Sequence, residues 1–119
     1  MDIGGHESRL LLKLMSASTL RARVIANNIA NQNVPGFKRE VVRFEDLLAG
    51  DLASERDDLD RVEPRIETDR RTPSSPDGNN VSLEVENTAL RENRLLYELY
   101  ATILQGRTDM VRASIVEGR

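Results

Sequence analysis

Few side chains in this 119-residue chain could make or break bonds. His6 is the single histidine and lies near the start of the chain, where a solvated imidazole is expected rather than a metal ligand or proton carrier. Glu55, Asp57, Asp58 and Asp60 could attract a cation, yet they lack the glycine and loop spacing of a calcium site and read as a solvated charge run. Arg70 and Arg71 invite a phosphate, but acids stand beside them and no aromatic residue is interleaved. With 0 cysteines, disulfides and thiolate chemistry are excluded. No enzymatic activity, cofactor, metal or small-molecule substrate is expected.

The densest run of one chemistry is amide. Asn27, Asn28, Asn31 and Asn33 crowd the stretch ANNIANQNVPGF and lead into Pro35, Gly36 and Phe37. Locally this is a helix stop. Asn tolerates the left-handed conformation and can satisfy the last open carbonyls. Pro35 cannot continue a helix and pushes Val34 to an extended conformation, while Gly36 permits a turn. Asn27 and Asn31 continue the wet side of the preceding helix, and Asn28 and Asn33 are candidates to bond backbone where it ends. A cap needs one amide, so the surplus asks for another explanation.

Two long helices must position this stretch. From Glu7 to about Asn31 there is no Gly or Pro, and Leu11, Met15, Ser18, Ala22, Ile25 and Ile29 fall at alternating steps of four and three, a helix-packing seam. Arg9, Lys13, Ser16, Arg23, Asn27 and Asn31 line the opposite side. After the turn at Asp77 and Gly78, Asn80 or Ser82 can cap a second helix, and Glu84 and Glu86 suit the dipole of its first turn. Val85, Ala89, Leu96, Leu99, Ile103 and Met110 form one apolar strip on it. Leu90, Tyr97, Tyr100, Leu104, Val111 and Ile115 form another beside the first. Such a wide arc suits several neighbours, including other chains. Glu92 and Arg107 intrude on it: either they lie near its edges and reach water, or they pair with charges on neighbouring subunits and set the stagger of an assembly.

The middle offers little core. Val41, Val42, Phe44, Leu47 and Leu48 can make a short strand or helical turn, and the segment after Gly50 is charged and proline-rich. The expected fold is mainly α: two long terminal helices packed as an antiparallel hairpin or coiled coil, with an extended or disordered middle. Residues 1–36 form the first helix and its stop. Residues 37–80 form a short ordered element followed by a flexible linker, and residues 81–119 form the second helix, which completes one helical domain with 1–36. The formal net charge is -3, without the basic field that nucleic-acid binding requires. No stretch approaches the roughly 20 apolar residues needed to span a bilayer. No secretory signal pattern opens the chain.

The stretch from Ala26 to Lys38 resembles the amino-terminal signature of bacterial flagellar rod and hook proteins, Ala-x-Asn-hydrophobic-Ala-Asn-x-x-Thr-Pro-Gly-Phe/Tyr. Val34 departs from the usual Thr. The short chain, DGNNVSLEVENTALRENRLLY from Asp77 to Tyr97, and the ending SIVEGR are similar to the proximal-rod members of that group. The resemblance implies a structural subunit that self-assembles through its terminal helices into a hollow, torque-transmitting shaft. Its partners would be itself, other rod and basal-body subunits and the flagellar type III export apparatus, and its place the periplasmic rod, reached without a cleaved signal peptide. Phe44 and Leu48 resemble the Phe-x-x-x-hydrophobic element of flagellar export substrates, although any amphipathic turn would match and docking against the helix pair is the stronger reading of them. A soluble helical-hairpin adaptor or export chaperone, binding a client without polymerising, is the alternative from another class.

Overall fold

The computed structural model describes residues 5–54 and 61–118. The cation candidates Glu55, Asp57, Asp58 and Asp60 lie outside them. Five elements follow in order: α1 (Gly5–Ala30), β1 (Glu40–Arg43), α2 (Glu45–Ala53), β2 (Arg65–Thr68) and α3 (Leu83–Glu117). The molecule is a slab of 68 × 29 × 15 Å, its length set by α3, whose 35 residues span about 52 Å at about 1.5 Å each.

α1 ends where the amides crowd. Asn31 N–H is shared between the carbonyls of Asn27 and Asn28, both at 3.1 Å, and Gln32 N–H reaches Ile29 O at 3.2 Å, so the last turn tightens before Pro35 stops it. Ser82 caps α3: its backbone is extended (φ -114°, ψ 117°) and its hydroxyl accepts from Val85 N–H. Asn80, the other candidate for this cap, is turned elsewhere.

α1 and α3 run antiparallel and pack along one side of α1. On another side lies the apolar core, where Ala17, Phe44, Leu48 and Val62 meet, with Leu10, Leu14 and Leu47 against them. β1 and β2 form a two-stranded antiparallel sheet in which Val42 faces Ile66 and Glu40 faces Thr68. Among the described residues of the charged middle, Arg65–Thr68 thus form a paired strand that their composition does not suggest. Backbone pairing requires no apolar area, and one buried valine anchors the return of the chain beside α1, where Lys13 donates to Val62 O at 3.0 Å.

Candidate functional site

Asn28 is wholly buried at the end of α1. Its Oδ1 accepts from Glu40 N–H at 2.9 Å, and its Nδ2 donates to Glu40 O at 2.8 Å. The side-chain amide thereby does for β1 what a neighbouring strand would do, satisfying both backbone groups of Glu40. Nδ2 also donates to Glu86 Oε2 at 3.2 Å, tying α1 to the first turn of α3.

The loop entering α3 closes on the loop leaving α1. Asn79 Nδ2 donates to Asn31 O at 2.9 Å and Val34 O at 2.8 Å, a second bond to carbonyls that also accept from Val34 N–H and Phe37 N–H in the helix stop. Asn80 Oδ1 accepts from Arg39 N–H at 2.6 Å, while its Nδ2 donates to Asp69 O at 2.7 Å. Gly36 N–H donates to Asp77 O at 2.9 Å, and Lys38 Nζ donates to Ser74 Oγ and Gly78 O. Gly36 and Gly78 have φ of 77° and 87°, and a Cβ on Gly78 would lie 3.2 Å from Gly36 Cα. Both the conformation and the close approach favour glycine at Gly78.

Arg39 joins the three parts of this knot. Its Nε donates to Glu86 Oε1 at 2.6 Å and its Nη1 to Asp69 Oδ2 at 2.8 Å. Burial acts against the Arg39 charge, but the bonds to Glu86 and Asp69 outweigh it and raise the pKa above its ordinary value. The Thr72 hydroxyl, donating at 2.6 Å, and the Arg39 guanidinium hold the Asp69 carboxyl well below the usual carboxylate range, with the N–H groups of Thr72 and Arg71 assisting. Glu86 is 0% exposed, and both its oxygens are bonded. A buried carboxylate so partnered specifies one geometry, because removing either partner leaves a charge stranded.

Polar pairs continue along the seam between the long helices. From Asn28–Glu86, seven residues back along α1 and seven forward along α3 bring Arg21 to Asn93, with Nη1 donating to Oδ1 at 3.5 Å. Asn93 Nδ2 donates to Ser18 O at 2.8 Å. Fourteen further residues along each helix, Glu7 and Arg107 form an ion pair. Arg21 also grips Glu45 with two bonds, of 2.9 and 2.6 Å, and these lower the Glu45 pKa although burial raises it. The only buried side chains of α3 are Glu86 and Asn93. Its apolar residues lie on both flanks of this polar seam. Ala89, Leu96, Ile103 and Met110 are three residues beyond Glu86, Asn93, Tyr100 and Arg107, about 60° to one side at about 100° per residue. Leu90, Tyr97, Leu104 and Val111 are four beyond, about 40° to the other side.

Several residues singled out by sequence fall in this region. Asn28 and Asn31 bond as described, Asn31 Nδ2 also donating to Asn27 O at 2.8 Å, while Asn27, Asn33, Pro35 and Gly36 are exposed and Phe37 is half-buried. On α1, Leu11 and Ile25 are buried, and Met15, Ala22 and Ile29 half-buried. On α3, Leu96, Leu99, Ile103 and Met110 are exposed, Leu99 by 52% and Met110 by 72%, and Leu104 is half-buried. Arg107 pairs with Glu7 of the same chain, because the antiparallel register brings the start of α1 to it. Glu92 is exposed. Phe44 and Leu48 are buried in the core beside Ala17.

Arg39, Asp69, Asn79, Asn80, Glu86 and Asn93 were missed as packing residues. One signal was available: Glu86, Asn93, Tyr100 and Arg107 stand seven apart, a heptad of polar and half-polar residues inside an apolar helix. The partners of Asn79 and Asn80 carry no such period.

The helix pair is thus tied at one end and leaves apolar residues exposed on both flanks of α3. The family described as Flagella basal body rod protein matches residues 15–38, which contain the whole amide stretch. The flagellar basal body rod protein FlgB of Borrelia hermsii is 32% identical over 123 residues, covering 87% of this chain and 90% of that protein. FlgB of Bacillus subtilis (strain 168) is 27% identical over 117 residues, covering 88% and 89%. The rod protein FlgG of Caulobacter vibrioides is 56% identical over 34 residues, only 29% of this chain and 13% of that protein. The chain belongs to the flagellar basal body rod protein family and is a structural protein of the rod. Its likeness along nearly the whole length is to the FlgB proteins.

Proposed function

We propose that this chain is a subunit of the proximal rod, which self-assembles with its own copies and other rod proteins into the hollow axial shaft. The carrying observation is α3, a helix of 35 residues that buries only two polar side chains within its own chain. A lone subunit therefore gains little hydrophobic stabilisation from its longest element. The two apolar strips flank the α1 contact on opposite sides, so each suits a different neighbour. A chaperone holding one client would need one such surface.

The resemblance to export substrates adds an order of events. Phe44 and Leu48 are 0% and 6% exposed, so an export element at these positions is readable only before the core closes. Passage as an unfolded chain through the type III apparatus, followed by folding in the growing rod, fits that burial. The test is electron microscopy of the purified full chain at high concentration, alone and with other flagellar rod proteins. Tubular or ring-shaped assemblies are expected. A chain that stays monomeric in every mixture would overturn the reading.

A further inference from the structure

The loop entering α3 contains Asp77–Gly78, the only place in the sequence where Asp or Asn precedes glycine. This is the dipeptide at which a main-chain nitrogen most readily attacks a side-chain carboxyl, since glycine presents no Cβ in the way. In the folded chain both reacting groups are engaged. Gly78 N–H donates to Ser75 O at 2.8 Å, and Asp77 Oδ1 accepts from Asn79 N–H at 3.0 Å. The first bond fixes the peptide plane and opposes loss of the amide proton, and the second holds the carboxylate toward the next residue.

We propose that Asp77–Gly78 is a latent isoaspartate site, closed by the folded junction and open in the unfolded chain, whose conversion disables the junction. In the reaction the Gly78 nitrogen loses its proton and bonds to Asp77 Cγ. The Cγ–OH bond breaks and one water leaves, closing a five-membered succinimide. One water then adds to the ring, and opening at the α-carbonyl moves the chain onto the β-carboxyl. No atoms are gained or lost and no oxidant is needed. The product has an extra methylene in its main chain at the point where Asp77 O accepts from Gly36 N–H at 2.9 Å. The two loops approach closely there, a Cβ on Gly78 lying 3.2 Å from Gly36 Cα, so a longer main chain carries the Asp77 carbonyl away from Gly36 N–H. A chain that waits unfolded thus loses the contact that joins the exit of α1 to the entry of α3.

The test compares the native full-length chain, the same chain in urea and a peptide of residues 73–82 at neutral pH and physiological temperature. Isoaspartate is measured by enzymatic methyl transfer to the isomerised carboxyl. The peptide and the urea-treated chain should convert alike, and the native chain at least about tenfold more slowly, since it must first open the loop. Asp77→Glu, which cannot close the five-membered ring, should abolish the signal. Chains isomerised in urea and returned to native buffer should lack hydrogen-exchange protection at Gly36 and Asn80. Equal rates in native chain and peptide, a signal retained by Asp77→Glu, or full protection in the isomerised chains would each overturn the proposal.

Discussion

Asn28 and Glu86, 58 residues apart, meet in the buried junction at 3.2 Å, and this contact joins the end of one long helix to the start of the other. Neither group could be buried alone at low cost. Asn28 is tolerated because Glu40 and Glu86 use its amide completely, and Glu86 because Asn28 and Arg39 each take one oxygen.

Asn28→Ala should therefore destabilise the chain by about 3 kcal/mol, because it strands the backbone groups of Glu40 and one Glu86 oxygen. Asn33→Ala, at an exposed position in the same stretch, should change stability by less than about 0.5 kcal/mol. Urea denaturation of the two variants measures the difference. Equal effects would show that the amides act as a generic helix stop.

The two left-handed glycines should separate in severity. Gly36→Ala meets only the conformational penalty of about 1 kcal/mol, since nothing lies within 4 Å of the added Cβ. Gly78→Ala meets that penalty and a backbone contact at 3.2 Å, so its melting temperature should fall further. A milder Gly78→Ala would mean that the two loops part readily.

How far this arrangement could be read beforehand differs by element. The helix stop was legible because Pro35 and Gly36 act through their own backbones, and the packing seam of α1 because Leu11, Ser18 and Ile25 recur every seven residues and are buried. β2 was not legible: its four residues, Arg65 to Thr68, carry one aliphatic side chain, and its partner is fixed by long-range backbone bonds. Glu86 misled because its place in the first turn of α3 already explains a carboxylate there. Its burial is made tolerable by Asn28 and Arg39, which the fold brings beside it and which each take one oxygen.

Acid should loosen the junction before it unfolds the helices. The Asp69 carboxyl has a folded pKa below its unfolded value of about 3.9, so its contribution to stability is fully present above that value and is lost as pH falls toward the folded pKa. Glu45 is also lowered and acts with the same sign. Melting temperature should thus be flat from neutral pH down to about 5 and fall below about 4. Asp69→Asn should flatten part of that fall and remove stability at neutral pH. A wild-type profile in Asp69→Asn would exclude the carboxylate as a contributor.

Folding and assembly should come apart on α3. Leu96 and Leu99 are exposed by 37% and 52% in the single chain, so Leu96→Asp with Leu99→Asp buries no new charge in the monomer, and its circular dichroism and melting curve should stay close to wild type. In an assembly that covers this strip, two carboxylates would enter an apolar contact at a cost of several kcal/mol. The rod should then fail to complete, and cells carrying the variant should lack hooks and motility while still exporting the subunit. Leu90→Asp with Val111→Asp, on the other flank, should give the same result through a different neighbour. The control is Arg91→Asp with Gln105→Asp, both exposed and away from the strips. Normal swimming in the Leu96 and Leu99 variant, together with loss of swimming in the control, would invert the burial argued for this helix and place the subunit contacts on its polar side.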